Sequence, residues 1–219
     1  VNEVYADSPA SMVGLQAGDL IVKVDDLDVN AETYQQAADA IRGEEGSKVN
    51  ITYRREAEDT TIEVTRRKVD IPTVFSRIID GNIGYVQVTE FNESTATQFS
   101  NQVDTLIGQG AQALVFDMRN NGGGTLSSVT KMLDKLLPEG DIISAEYKDG
   151  TVEVLAKSDE NEIDLPMVVL TNNRTASAAE LFTQALRDYG KAKSVGVTTY
   201  GKGTMQTVKK LNDGSAVNV

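Results

Sequence analysis

The sequence has no cysteine and no histidine among its 219 residues. Without cysteine the chain has no disulfide, no thiol catalysis and no thiolate metal site. Without histidine it lacks the commonest metal ligand and the commonest general base. No apolar run approaches the roughly 18 residues that indicate a membrane span. Val1 in place of Met, and the strand-like ending GSAVNV, indicate a piece of a longer protein, so a signal peptide or anchor would lie outside it.

Basic residues are outnumbered: Lys and Arg total 21 against 33 Asp and Glu, a net charge of −12. A mostly anionic surface repels nucleic acid and anionic lipid, so neither is an expected partner of these residues. A hydrophobic content of 40% is enough for a sizeable core in one large domain or two smaller ones.

Residues 1–68 have the pattern of a compact β-rich module with one main helix. VNEVY alternates as a strand does, and SPASMVGLQAGD is typical of a turn and a short helix. The helix AETYQQAADAIRG places Tyr34, Ala37, Ala38 and Ile41 on one stripe. The remaining predicted strands are LIVKV, KVNITYR and TTIEVTR.

Residues 69–219 begin within a predicted linker, KVDIPTV, and beyond it strands and helices alternate. This order favours an α/β core with a largely parallel sheet. The predicted strands are NIGYVQV, ALVFDM, PMVVLT and the hairpin IISAEYKDGTVEVLA; the predicted helices are 95–107, 126–136 and 178–189.

Ser177 lies where the strand PMVVLT gives way to the last of these helices. A helix start provides unpaired backbone N–H groups and the positive end of the helix dipole, which can stabilise an oxyanion. The same position favours a serine that only caps the helix. Position alone leaves both interpretations open.

Lys202 lies between two glycines in TTYGKGTMQ. A lysine that acts as a base must be neutral, which desolvation or nearby positive charge favours. Taken alone, Lys202 is more typical of a solvated turn lysine or an anion-binding charge.

Three glycines follow the strand ALVF in DMRNNGGGT, residues 117–125. Their backbone N–H groups could bind an anion, although the spacing matches neither a P-loop nor a dinucleotide fingerprint. A tight turn is the alternative. A sharper hypothesis is that one glycine N–H forms half of an oxyanion hole, with Ala178 N–H as the other half.

Taken together, DMRNNGGG, TASAAE and GKGTMQ resemble, in order and spacing, the C-terminal processing peptidases, or tail-specific proteases. SPASMVGLQAGDLIVKVDDLDV and AADAIRGEEGSKVNITYRR resemble the embedded PDZ domain of that family, and DGNIGYVQVTEF the start of its catalytic core. The resemblance implies an α/β, ClpP/crotonase-like catalytic core at 69–219, incomplete at its C-terminus. It also implies a small β-rich PDZ domain at 1–68, truncated on its N-terminal side.

The resemblance also implies roles for individual residues. Ser177 would be the nucleophile, Lys202 the base and Gln206 an accessory residue. The oxyanion donors would be Ala178 and a glycine of 122–124, Gly123 or Gly124. It implies no cofactor and no metal.

The function expected from this resemblance is a serine endopeptidase that recognises free C-termini of protein or peptide substrates through its PDZ domain. The resemblance places the protein outside the cytoplasm, in the cell envelope or beyond. Membrane association would come only from segments outside this chain, and the oligomeric state is not determined by the sequence. Two alternatives are a catalytically silent PDZ scaffold and a crotonase-like acyl-transfer or hydration enzyme, for which the sequence has no acyl-carrier signature.

Overall fold

The chain divides into two compact units, Val1–Ile71 and Pro72–Val219. The structure is a computed structural model that describes residues 1–206, 208–211 and 213–218. Within those ranges, no helix combines the length and the apolar character that crossing a lipid bilayer requires.

The first unit is a four-stranded antiparallel sheet with two helices. The elements are α1 Pro9–Met12, β1 Leu20–Val24, β2 Leu27–Asp28, α2 Tyr34–Ile41, β3 Lys48–Arg55 and β4 Glu58–Thr65. The strands lie in the order β2-β1-β3-β4. In β3, Val49, Ile51 and Tyr53 are buried at every second position, as expected for a strand with one face on a core.

Two expectations for the first unit are wrong. Val1–Tyr5 alternates but forms no strand; its amino group instead donates a hydrogen bond to the Asp19 carbonyl, 2.7 Å away. Val1 also accepts from Gly18 N–H at 2.9 Å, but within the described residues no strand pairs with this segment, and a strand needs a pairing partner. Tyr34 lies on the predicted stripe of α2 but is 66% exposed, so Ala37 is the buried residue of that helix.

A buried carboxylate holds the first unit together. Asp19 accepts two hydrogen bonds of 2.7 Å from the Arg55 guanidinium, and a third from Gln16 N–H. The bond from Arg55 is the main cause that lowers the pKa of Asp19 to about 2. The ion pair therefore joins the end of β3 to the turn before β1.

The second unit is built on a five-stranded sheet that confirms the predicted α/β class. Its order is β11-β10-β7-β6-β5, in which β5 and β6 are antiparallel and the other pairs are parallel. The strands of this sheet are β5 Val74–Ile79, β6 Ile83–Val88, β7 Ala113–Asp117, β10 Met167–Thr171 and β11 Ala192–Gly196. The remaining elements are α3 Thr95–Gly108, α4 Leu126–Asp134, β8 Gly140–Glu146, β9 Val152–Ser158, α5 Ala178–Asp188, β12 Val208–Lys210 and β13 Ala216–Asn218.

The core of the second unit lies between the sheet and its helices. Four phenylalanine rings pack against one another with centroids 5.3–6.4 Å apart. They are Phe91 in the loop after β6, Phe99 in α3, Phe116 in β7 and Phe182 in α5. Each ring is almost completely buried. This contact fixes the start of α5 against the end of β7.

The parallel pair β7 and β10 determines where the predicted motifs meet. Leu170 of β10 pairs with Asp117 of β7, so the two strands end side by side. The glycine loop follows β7, and the turn with Ser177 follows β10. Both motifs therefore lie at the carboxyl edge of the sheet, the usual place for a site in such folds.

Candidate active site

Ser177 has a backbone conformation that is unfavourable for a residue with a side chain. Its φ is 55° and its ψ is −119°, directly before the first residue of α5. Two neighbours hold the turn: Thr175 Oγ1 donates to the Met118 carbonyl at 2.8 Å, and Ala176 N–H donates to the Asn121 carbonyl at 3.0 Å. Strain of this kind persists only where surrounding contacts enforce it, and it concentrates at functional sites.

The glycine loop packs directly against Ser177. Gly123 has a φ of 102°, and a Cβ placed on it would lie 2.8 Å from the Ser177 Cβ and 3.0 Å from the Ala178 nitrogen. Gly124 has a φ of 148°, and a Cβ on it would collide with the Phe91 carbonyl. These two positions accept only glycine, because both the backbone angle and the available space exclude a side chain.

The backbone N–H groups of this loop differ in their partners. Gly123 N–H donates to the Asn121 side-chain oxygen at 2.8 Å, whereas Gly124 N–H and Ala178 N–H have no acceptor within the described residues. Of the predicted oxyanion donors, Gly124 and Ala178 therefore have a free N–H. Gly123 supplies the close approach of the loop to Ser177.

Glu180 connects the Ser177 turn to the segment that contains Lys202. Its Oε2 accepts from Ser177 N–H at 2.8 Å and from Lys202 N–H at 2.9 Å. Its Oε1 accepts from Thr199 Oγ1 at 2.7 Å and from Gly201 N–H at 2.6 Å. The backbone nitrogens of Ser177 and Lys202 thus share one acceptor atom.

The protonation of Glu180 reflects these contacts. Burial raises the pKa of this carboxyl, but the hydrogen bonds from Thr199, Gly201, Ser177 and Lys202 outweigh burial and lower the pKa below its usual value of 4.5. The group is therefore ionised at neutral pH and acts only as an acceptor.

The side chains of Lys202 and Gln206 are exposed. In the part of the chain that the structure describes, no hydrogen bond joins Gln206 to Lys202. The structure therefore brings the backbone of Lys202 to Ser177, and the role of Gln206 stays a prediction.

Two buried polar residues, to which the sequence analysis gave no role, hold the end of β7. Asp117 accepts from the Arg119 guanidinium at 2.6 and 2.9 Å and from Tyr85 Oη at 2.6 Å. Burial raises the pKa of Asp117, and these bonds more than offset the effect, so the pKa is lowered. Asn121 donates its amide to the Val88 carbonyl at 2.9 Å while its oxygen accepts from Gly123.

Glu180 also had no assigned role in the sequence analysis, although it was part of the motif around Ser177. The signal was present: a serine followed by a glutamate three positions later is the capping-box pattern. Its bonds to Gly201 and Lys202 have no sequence signal, because backbone donors are the same in every residue.

Across the described residues, no cluster of three or more acidic side chains is arranged to bind a metal ion.

Comparison with known families matches most of the second unit to a peptidase. The description "Peptidase family S41" applies to residues 82–219, and "PDZ domain" to residues 1–55. The first match covers more than half of the chain, so the chain belongs to peptidase family S41. The resemblance noted from the sequence is confirmed, and so is the α/β peptidase core with an N-terminal PDZ domain.

Individual relatives agree with the family. The chain is 36% identical to the carboxy-terminal processing protease CtpA of Bacillus subtilis, over 97% of this chain and 46% of that protein. It is 33% identical to a carboxyl-terminal-processing protease of Picosynechococcus, over 97% of this chain and 52% of that one. The chain spans about half the length of these curated relatives.

A solved structure also superimposes on the chain. This is the photosystem II D1 C-terminal processing protease, with a TM-score of 0.62 and 32% identity, over 100% of this chain and 61% of that one. At this identity, the shared fold extends across the peptidase core and the PDZ region.

Proposed function

We propose that the whole protein is a serine endopeptidase that processes the C-terminal tails of protein or peptide substrates. One observation carries the proposal: Ser177 occupies a strained turn against Gly123, next to the N–H of Ala178, which has no acceptor among the described residues. A nucleophile beside preorganised backbone donors is the arrangement that acyl transfer requires. The names of the three relatives described above, each a C-terminal processing protease, support the substrate class.

The proposed reaction uses a Ser–Lys dyad. Ser177 Oγ attacks the scissile carbonyl carbon while Lys202 Nζ takes the hydroxyl proton, and the oxyanion is stabilised by Ala178 and Gly124 N–H. Lys202 then returns the proton to the leaving amine, which leaves an acyl-enzyme. A water molecule attacks the ester carbonyl carbon while Lys202 Nζ takes its proton; the bond to Ser177 Oγ then breaks, Lys202 returns the proton to Ser177 Oγ, and the carboxylic acid product leaves. Gln206 would orient Lys202 through a hydrogen bond.

In the same proposal the PDZ region receives the substrate tail. The chain of the substrate would add as a strand along an exposed sheet edge beside α2, residues 34–41. Processing of this kind would take place outside the cytoplasm, in the cell envelope or beyond, after export directed by segments outside this chain.

Covalent labelling of the full-length protein tests the proposed nucleophile. A fluorophosphonate probe should label wild-type protein, and Ser177→Ala should abolish both labelling and peptide cleavage, because the other hydroxyl of this turn, on Thr175, is buried and donates to the Met118 carbonyl. The variant should remain folded, since losing a helix-cap serine costs about 1 kcal/mol. Cleavage that continues in a folded Ser177→Ala variant would overturn the peptidase proposal.

Tail recognition is tested separately. A peptide with a free C-terminus should be cleaved much faster by the full-length protein than the same peptide with an amidated C-terminus, because amidation removes the carboxylate. The readout is kcat/KM for the two peptides. Equal values would leave a serine peptidase in which the PDZ region does not select the terminus.

A further inference from the structure

We propose that Glu180 is a positioning residue that fixes the segment containing Lys202 against the turn containing Ser177. This inference rests on the proposed function, because it assigns the placement of the base relative to the nucleophile. The observation is the set of four hydrogen bonds that Glu180 accepts, one from Ser177 and three from the segment that contains Lys202.

The contacts exceed what a helix cap needs. A capping-box glutamate satisfies a single donor, the N–H of the residue that caps its own helix. Glu180 makes that bond to Ser177 and accepts three more from residues that lie 19 to 22 positions later in the sequence. These additional bonds join two separate segments, so their effect is on the relative position of the segments.

The carboxylate is well suited to this task. An ionised carboxyl has about four acceptor sites and no donor, and Glu180 fills them with four donors. Hydrogen bonds to a charged acceptor are stronger than those between neutral groups. No other residue type of similar length provides four acceptor sites.

A second contact attaches the same segment from the other side. Tyr200 N–H donates to the Thr175 carbonyl at 2.9 Å, two residues before Ser177. Lys202 itself has an exposed side chain, so the position of its amine depends on how its backbone is held. The bonds to Glu180 are the ones that reach Gly201 and Lys202 directly.

Two substitutions each remove a different part of this set of hydrogen bonds. Glu180→Gln keeps one oxygen, which can still accept from Ser177, but turns the other acceptor into an NH₂ donor that faces N–H groups. Thr199→Val removes a single bond to Glu180 and leaves the contact with Ser177 unchanged. Glu162→Gln is the matched control, because it makes the same chemical change in a carboxylate that binds Lys191 instead.

Three measurements on the full-length protein test the proposal. The first is the rate of fluorophosphonate labelling as a function of pH, the second is kcat and KM for a peptide substrate, and the third is amide hydrogen exchange at Gly201 and Lys202. In wild type, the labelling rate should rise with pH and level off once the base is neutral.

Glu180→Gln should lower the labelling rate and kcat by about tenfold to a hundredfold, because misplacement of a catalytic group by about 1 Å has effects of this size. KM should stay close to its wild-type value. The labelling rate should also lose its plateau and keep rising with pH, because hydroxide replaces the displaced amine as base. If Glu180 only stabilised the fold, the substitution would lower the labelling rate by the same factor at every pH and the plateau would remain.

Thr199→Val should lower the labelling rate and kcat by a smaller factor than Glu180→Gln does. Glu162→Gln should match wild type in both. Folded Glu180→Gln protein with wild-type labelling and an unchanged plateau would overturn the proposal. Should Glu180→Gln fail to fold, Thr199→Val decides, and wild-type labelling and pH dependence in that variant would overturn the proposal.

Hydrogen exchange separates this proposal from the proposed function. If wild-type protein is not labelled, the peptidase proposal fails, yet Gly201 and Lys202 should still lose amide protection in Glu180→Gln. Unchanged protection in that variant would overturn the positioning role whether or not the protein is an enzyme.

Discussion

Helices α4 and α5 begin in equivalent places but in different ways. Each follows a strand of the parallel pair, and each is preceded by a hydroxyl residue, Thr125 or Ser177. Thr125 is an ordinary cap, with φ −78°, ψ 138° and a side chain that accepts from Ser128 N–H. Ser177 has φ 55° and ψ −119°, far from that region.

The third residue of each helix extends the contrast. In α4 it is Ser128, whose hydroxyl is buried and has no hydrogen-bond partner within the described chain. In α5 it is Glu180, which accepts four bonds. The start of α4 has the conformation and cap bond of an ordinary helix start. At the start of α5 the backbone is strained, and the hydrogen bonds of Glu180 reach residues outside the helix. Such a cost is expected where a backbone is shaped for chemistry.

The largest effect is expected at Lys202, whose backbone N–H donates to Glu180 in the first turn of α5. A substitution there tests whether the unusual start of α5 serves catalysis. Lys202→Arg should remove nearly all activity, because guanidinium stays protonated at every working pH and cannot accept the Ser177 proton. Peptide cleavage by the full-length variant is the measurement. Near wild-type turnover would mean that Lys202 anchors an anion and that the base lies elsewhere.

A large effect is also expected from the glycine loop between the two strand ends. Gly123→Ala should reduce labelling and cleavage strongly, because the new Cβ would meet Ser177 and the positive φ would be strained. Gly122→Ala is the matched control, since Gly122 has nothing within 4 Å of the corresponding position and no positive φ. Similar activity in both variants would contradict the packing described for Gly123.

The smallest effect is on stability, with opposite signs at the two helix starts. Ser177→Gly should increase the free energy of unfolding by about 1 kcal/mol or more, because glycine adopts this backbone conformation without strain. Thr125→Gly should lower it by a few tenths of a kcal/mol, because a cap hydrogen bond is lost. Denaturant unfolding of both variants measures the pair, and a destabilised Ser177→Gly would show that the turn is not strained.

Hydrophobic pattern predicted most elements of the second unit but not the strands at its edges. β10 and the hydrophobic stripe of α5 are clear in the sequence, because burial on one or both faces determines their residues. β11, with the sequence AKSVG, is largely exposed and is defined by backbone pairing to β10. β5 lies at the other edge and follows Pro72, which favoured a linker interpretation. Pairing between backbones leaves little trace in composition.

The residues of the candidate site also differ in whether the sequence could predict their roles. Roles for Ser177, Lys202 and the glycine loop could be predicted because their motifs, taken together, resemble those of a known peptidase family. Glu180 and Asn121 could not be assigned a role, since their partners are backbone groups of residues distant in the sequence. Asn121 is completely buried, which no local pattern predicts for an asparagine.

The register of β7 against β10 has a consequence for how the chain tolerates changes in length. Leu170 pairs with Asp117, and the glycine loop and the Ser177 turn follow within a few residues. A slip of one residue would move one motif past the other by about 3.3 Å and turn each side chain to the opposite face. Insertions at the amino edge of the sheet, where β7 and β10 begin, leave this spacing intact. A single residue inserted between Asp117 and Gly123, or between Leu170 and Ser177, would separate the proposed nucleophile from its proposed oxyanion donors without disturbing the core.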